Sequence, residues 1–308
     1  MRVILAEPRG FCAGVERAIA IVERALRKFG PPIYVRHEIV HNRWVVESLR
    51  RQGAVFVQEL DEVPDGATVI YSAHGVSKEV QAEGARRPLQ VLDATCPLVA
   101  KVHQEARRLD EEGYRVVLIG HKGHPEVVGT MGQLPAGRIE LVSRPGDVTA
   151  LDGERGHRAA FITQTTLSVD ETREVVATLR ERFPDVRQPA REDICYATQN
   201  RQNAVKALAE RCDLILVLGA PNSSNSNRLR EVAQRAGCRA QLIESAADIR
   251  EDWLEGVAQL GVTAGASAPE VLVTELIATL GARVQEVEVL AVSEEHLVFP
   301  LPAILREV

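Results

Sequence analysis

An alternation most tightly constrains what this chain can fold into. Short apolar runs recur along it, each followed by a polar turn and then an amphipathic stretch. The runs VILAE, IYVRH, TVIYSA, QVLDAT, RVVLIG, AAFITQ, LILVLG and LGVTAG read as strands. Several are apolar on consecutive residues, as expected of parallel strands covered on both faces. After the first of them, Val15, Ala18, Ile19, Val22, Ala25 and Leu26 recur at three- and four-residue steps. That spacing predicts a helix, ended by Gly30, Pro31 and Pro32. Repeated βα units of this kind define an α/β fold with mostly parallel sheets. A length of 308 residues exceeds one ordinary core and points to several domains.

The turns after the strands share one plan. VIYSAHGVSKEV, VVLIGHKGHPEV, LILVLGAPNSSNSNRLREV and GVTAGASAPEV each run from an apolar strand through a Gly-, Ser-, His- or Asn-rich turn into a helix. Equivalent units would place these turns on one edge, outside the carboxyl ends of the strands, where open α/β sheets bind ligands.

Charge and hydropathy narrow the partners. The net charge of -6 gives no electrostatic case for nucleic acid or an anionic membrane. No apolar run approaches the roughly 20 residues that span a bilayer. The N-terminus reaches Glu7 too soon for a signal peptide, so a cytoplasmic protein is expected.

The cysteines carry the clearest chemical signal. Five are present, an odd number without a C-x-x-C pair, which argues against a disulfide framework or a zinc ribbon. Cys12, Cys96 and Cys195 each stand where a helix begins, and there unpaired N–H groups and the helix dipole favour a thiolate. Taken singly, each also reads as a small buried residue. Cys212 and Cys238 stand at strand entrances and read as structural. Three thiolates from distant segments can hold an iron–sulfur cluster, leaving one iron without a protein ligand. Zinc with three thiolates and water is the alternative. The contexts of the three cysteines suggest domains over 1–96, 97–194 and 195–281, with a strand and tail over 282–308 that dock on an earlier part.

Other groups collect at the same kind of turn. His41, His74 and His124 lie where strands pass into helices, and imidazolium groups and helix N-termini suit a diphosphate. Helix capping or plain exposure is the alternative for each. His37, His103, His121, His157 and His296 lack this placement and read as structural. Asn222 to Asn227 form a run of donors and acceptors that exceeds the needs of one N-cap, and Ser267 sits in a similar turn. Glu126 opens a helix after GHP, as a dipole-favoured acid or as a proton donor. Thr165 and Thr166 follow a strand, where either can cap the next helix or bind a substrate hydroxyl. There is no P-loop and no G-x-G-x-x-G fingerprint.

Taken together, LAEPRGFCAGVERAI, YVRHEIVHNRWVV, SAHGVS, DATCPLVAKVH, GHPEVVGTMGQ, TQTTLSVD, DICYATQNRQ, NSSNSNRL and GVTAGASAPE resemble the 4-hydroxy-3-methylbut-2-enyl diphosphate reductase family, the last enzymes of the non-mevalonate isoprenoid pathway. The blocks run in family order from residue 3 to about residue 270. The resemblance implies three similar α/β domains arranged like a trefoil around a central [4Fe-4S] cluster, one per chain. It implies cluster ligation by Cys12, Cys96 and Cys195. It implies substrate binding by His41, His74, His124, Thr165, Ser223, Ser224, Asn225 and Ser267, with Glu126 as the acid. The implied substrate is an allylic diphosphate, and the implied electron donor is a ferredoxin or flavodoxin. The segment PAGRIELVSRPGDVTALDGERGH lies between the blocks and is expected at the surface. From the residues alone, a cluster-dependent hydro-lyase, an electron-transfer or redox-sensing protein, and a zinc-dependent phosphate-ester enzyme remain alternatives.

Overall fold

The computed structural model describes residues 1–151, 158–183 and 185–306, and in them the alternation becomes strands and helices. The chain opens with β1 (Arg2–Glu7), α1 (Ala13–Phe29), β2 (Ile33–Arg36), α2 (Arg43–Arg51), β3 (Ala54–Val57), β4 (Thr68–Tyr71), α3 (Lys78–Arg86) and β5 (Gln90–Asp93). Next come α4 (Pro97–Glu111), β6 (Arg115–Ile119), α5 (Pro125–Met131), β7 (Ile139–Val142), α6 (Pro145–Thr149), β8 (Arg158–Thr163), α7 (Val169–Arg182) and β9 (Asp185–Arg187). The remainder is α8 (Tyr196–Ala209), β10 (Leu214–Leu218), α9 (Ser224–Arg235), β11 (Arg239–Ile243), α10 (Glu251–Leu254), β12 (Gln259–Ala264), α11 (Glu270–Leu280) and β13 (Glu286–Ala291). The structural role expected of His157 falls outside the described residues.

The fold is α/β with three parallel sheets, distributed over two compact units. One unit gathers Met1–Glu16, His41–Glu47 and Tyr196–Val298 around a sheet of order β11-β10-β12-β1-β13. Strand alternation there sends side chains to two separate cores. Val3, Leu5, Leu214, Leu216 and Leu218 pack with Leu272, Val273, Leu276 and Leu280, which belong to α11. Ile4, Ala6, Ile215 and Val217 pack on the other face with Val205 and Leu208 of α8 and Leu229 and Val232 of α9. Both faces are covered, which is why these strands read as continuous apolar runs. Truncating a fully buried side chain such as Leu216 to alanine would cost about 2–5 kcal/mol.

The second unit comprises Arg17–Val40, Ser48–Cys195 and the segment from Phe299 onward. It holds two parallel sheets, β3-β2-β4-β5 and β7-β6-β8-β9. Val116 and Leu118 face Val102, Ala106 and Leu109 of α4, whereas Val117 and Ile119 face Val175, Val176 and Leu179 of α7. Near the end of the chain, Lys28 donates to the carbonyl of Ile304 at 2.7 Å, and Leu305 is buried.

Two details differ from the sequence reading. The stretch 1–96 does not share one sheet: β1 leaves β2–β5 and lies between β12 and β13. With apolar side chains on both faces, β1 needs a sheet interior, and this sheet supplies one. The segment expected at the surface contributes β7, whose Ile139 and Val142 are buried, and Val148 of α6 is buried as well. Between the charged residues of that segment, apolar residues keep strand spacing.

Candidate active site

The polar groups singled out in the sequence gather at helix starts in both units. In the second unit, Cys96 is the N-cap of α4, with Pro97 behind it as the first helical residue. Proline is at home there, because its missing N–H would have had no helical partner. The Cys96 amide donates to the carbonyl of Ala73 at 3.0 Å, which ties the thiol's turn to the loop carrying His74. The rings of His74 and His124 meet edge to face, 5.8 Å between centroids.

His124 caps α5, and its Nδ1 accepts from the Glu126 amide at 3.1 Å. That bond leaves Nε2 as the position for a ring proton, so the ring is a donor toward any anion it meets. Glu126, one residue inside the helix, is only 3 % exposed. Its carboxyl accepts from the Thr165 amide at 2.6 Å and from the Thr165 hydroxyl at 3.0 Å. Burial pushes its pKa up to about 7, against the two Thr165 bonds that favour the anion, and the nearby Asp193 adds to the rise. Glu126 therefore keeps a proton near neutral pH and can release it, the property of a general acid. The carbonyl of Thr165 accepts from the Cys195 amide at 3.1 Å. The structure thus joins Glu126, Thr165 and the backbone of Cys195 in one hydrogen-bonded chain.

The other unit carries a second arrangement. Cys12 precedes α1, and its amide donates to the Ala266 carbonyl at 3.3 Å. Gly10 stands at φ +69, where a Cβ would lie 3.2 Å from the Ala268 carbonyl oxygen, so this turn requires glycine. Burial pushes the Cys12 thiol up, and the Arg201 guanidinium and the amides of Val15 and Gly14 pull it back. Ser223 is the N-cap of α9, with Ser224 and Asn225 as its first two helical residues. The carbonyl of His41 accepts from the Ser267 hydroxyl at 2.9 Å, and its Nδ1 lies 3.3 Å from Asn222 Nδ2. Asn225 is 4 % exposed, and its Oδ1 accepts from the Ala266 amide at 2.8 Å. Its Nδ2 is buried with no hydrogen-bond partner among the described residues. A buried donor left unpaired costs about 1–3 kcal/mol, a cost that an acceptor supplied by a ligand removes.

The donor chemistry suits an iron–sulfur cluster: three soft thiols, each at a helix start, none of them in a disulfide. Among the described residues, no three His, Cys, Asp or Glu side chains converge as the ligands of a single ion. A cluster asks for something different, because each thiolate binds a separate iron. Cys212 and Cys238 are unlike the other three. Cys238 Sγ donates to the carbonyl of Cys212 at 3.2 Å, and burial raises both thiols, that of Cys212 to about 12.

Sequence reasoning missed several groups around these turns. Asp193 is buried, accepting from the Thr163 amide at 3.0 Å and from Lys101 Nζ at 3.1 Å. Arg201 is fully buried, and Gln164 positions the turn after β6 by accepting from the His121 amide at 3.0 Å. In the sequence a buried arginine or aspartate resembles the charged face of a surface helix or loop. Its only signal here is proximity to a helix-start cysteine.

Parallel sheets with titratable and hydrogen-bonding groups on the turns into their helices define a class, the α/β proteins that bind ligands at the carboxyl ends of their strands. Within that class the chain belongs to the LytB protein family, which it matches over residues 3–281. It is 71 % identical to the 4-hydroxy-3-methylbut-2-enyl diphosphate reductase of Magnetococcus marinus over 307 residues, covering 100 % of both chains. It is 58 % identical to the enzyme of the same name from Neisseria gonorrhoeae, covering 99 % of this chain and 95 % of that one. The solved E-1-hydroxy-2-methyl-but-2-enyl-4-diphosphate reductase from Plasmodium falciparum superimposes with a TM-score of 0.95 at 36 % identity, covering 99 % of this chain and 97 % of its own. A second solved structure, of (E)-4-hydroxy-3-methyl-but-2-enyl diphosphate reductase, the terminal enzyme of the non-mevalonate pathway, gives 0.66 at 35 % identity, over 91 % of this chain and 99 % of its own.

Proposed function

We propose that this chain reduces (E)-4-hydroxy-3-methylbut-2-enyl diphosphate to isopentenyl and dimethylallyl diphosphate, the last step of the non-mevalonate isoprenoid pathway. Two electrons and two protons are consumed. The C–O bond breaks, the hydroxyl leaves as water, and a new C–H bond forms on the allyl unit. Cys12, Cys96 and Cys195 are the ligands of a [4Fe-4S] cluster in this reading. When bound, that cluster supplies electrons and, at the iron without a protein ligand, a Lewis acid.

The observation that carries the reading is the Glu126–Thr165 pair. Hydroxide is a poor leaving group, and a carboxyl with a pKa raised to about 7 holds the proton that converts it to water. Thr165 holds that carboxyl through two bonds and its own carbonyl holds the Cys195 amide, so acid and ligand are set by one residue. His41, His74 and His124 act on the diphosphate as ring N–H donors, and Ser223, Ser224, Asn225 and Ser267 as neutral donors. Holding the diphosphate in one orientation is what lets a fixed acid serve the hydroxyl. The unpaired Asn225 Nδ2 supports an anion there.

The electron donor in this reading is a ferredoxin or flavodoxin, and the compartment is the cytoplasm. Among the described residues no helix is long and apolar enough to cross a membrane. We read the three sheets as three domains, the third taking β1 and β13 in addition to the stretch 195–281.

Anaerobic purification with iron, zinc and sulfide analysis, followed by turnover with a chemical reductant, tests the proposal. Cys12→Ser, Cys96→Ser and Cys195→Ser lose the cluster and its visible absorption, whereas Cys212→Ser and Cys238→Ser keep both. A Cys96→Ser protein with full iron content and full turnover overturns the ligand assignment.

A further inference from the structure

Three basic side chains repeat one arrangement at the three cysteine turns. Arg17, on α1, donates through Nη1 to the carbonyl of Thr95 at 3.1 Å, the residue just before Cys96. Lys101, on α4, donates through Nζ to the carbonyls of Arg191 at 2.8 Å and Glu192 at 2.9 Å, shortly before Cys195. Arg201, on α8, donates to the carbonyl of Gly10 at 2.8 Å and to that of Phe11 at 3.2 Å, the two residues before Cys12.

The placement of the three along the chain is regular. Arg17 and Lys101 each stand five residues after a helix-start cysteine, and Arg201 stands six after one. Each grips the turn of a different cysteine from the one that opens its own helix. The helix begun after Cys12 serves Cys96, that begun after Cys96 serves Cys195, and that begun after Cys195 serves Cys12. The order closes on itself.

Each cation also has a carboxylate at hand. Lys101 pairs with the buried Asp193 at 3.1 Å, and Arg201 pairs with Glu295 at 3.0 Å. Asp93 interacts favourably with the charge on Arg17, and its Oδ1 accepts from the Thr95 amide at 2.8 Å. Of the three, Arg201 is fully buried, and a buried cation is tolerated when paired and hydrogen-bonded in this way. A surface salt bridge needs no backbone carbonyls. All three of these cations spend donors on main-chain carbonyls one to four residues before a cysteine, and such bonds fix the path of the turn that leads into it.

We propose that Arg17, Lys101 and Arg201 are positioning residues, a cyclic set of latches in which each helix start fixes the turn that presents the next thiol. The proposal rests on the reading of Cys12, Cys96 and Cys195 as cluster ligands. With only three ligands there is none to spare, so loss of any one latch loosens the whole centre.

The test uses Lys101→Met as the principal variant, because Lys101 is partly exposed. Lys101→Arg is the conservative partner, and Arg17→Met and Arg201→Lys probe the other two turns. Two readouts are taken on the full chain. The first is the rate at which a chelator strips iron from the anaerobically reconstituted protein. It should rise roughly 10- to 100-fold in Lys101→Met and Arg17→Met, as for other residues that orient metal ligands, and stay within about threefold of wild type in Lys101→Arg. The second is amide hydrogen exchange in the cluster-free protein. Lys101→Met should speed exchange at Cys195 and Arg17→Met at Cys96, while the amide of Leu216 is unchanged. Iron release as slow as in wild type, or exchange raised evenly throughout the core, overturns the latches. Wild-type protein that takes up no iron overturns the cluster reading instead, and the exchange pattern then decides the latches alone.

Discussion

The starts of α5 and α9 solve different problems with the same backbone device. Both follow a polar turn at the end of a parallel strand, and both are capped by a side chain accepting an amide, His124 in one and Ser223 in the other. The first turn of α5 then buries a carboxyl, whereas that of α9 buries hydroxyls and an amide. A buried carboxyl next to a helix start changes protonation near neutral pH, and buried neutral groups do not. The α5 start can therefore deliver a proton, and the α9 start can hold an anion at any pH without changing its own charge.

Substitutions can break this contrast. Glu126→Gln should lower kcat about 10²- to 10⁴-fold and leave KM within a few fold, as expected when only a proton is lost. Steady-state kinetics check this, and a change confined to KM would make Glu126 a binding group. Next in size is the pH dependence. Turnover should fall about tenfold per unit as pH rises beyond about 7, the region where Glu126 loses its proton, and Glu126→Gln should lack that limb. The same carboxyl acts on stability. Its pKa is about 7 in the folded chain and near 4.5 otherwise, so its contribution is complete below pH 4.5 and is lost as pH rises through 7. Denaturant midpoints across that range should show a slope that Glu126→Gln removes.

At the α9 start the effects are smaller and of another kind. Asn225→Ala should raise KM up to about tenfold with kcat within a few fold, the worth of one donor to a charged group. An equal fall in kcat would place Asn225 in the proton chemistry and erase the contrast. Ser223→Ala removes the N-cap bond to Ser226 and should cost about 1 kcal/mol of stability, read as a lowered denaturant midpoint in the absence of substrate.

How much of this was legible in the sequence follows from what each feature does locally. The strands were, because Ile4 and Leu5, or Ile215 and Leu216, enter opposite cores and leave an unbroken apolar run. The helix-start cysteines and histidines were, because strand, turn and helix are all short-range patterns. The partners of β1 were not: parallel pairing through long crossovers leaves no local mark of register. Lys101, Asp193 and Arg201 were not, since a charge in an amphipathic helix or a polar loop looks solvent-facing until its carbonyl partners are known. Asn225 was legible as one polar residue of a run, but its unpaired Nδ2 became visible only once Ala266 was seen to occupy its oxygen.

The position of β1 sets a timetable. Arg2 and Glu286, side by side in neighbouring strands, are 284 positions apart, and β12 on the other flank comes almost as late. At ribosomal speeds of about 5–20 residues per second, the first strand emerges some tens of seconds before either neighbour exists. Until then its unpaired edges are open to wrong partners, and the Cys12 turn lacks both Arg201 and Glu295. The β3-β2-β4-β5 sheet, by contrast, is complete in the nascent chain by Asp93. In the proposed reading of Cys12 as a cluster ligand, its loading follows translation, and a chaperone that shields the first strand would raise the yield of assembled protein.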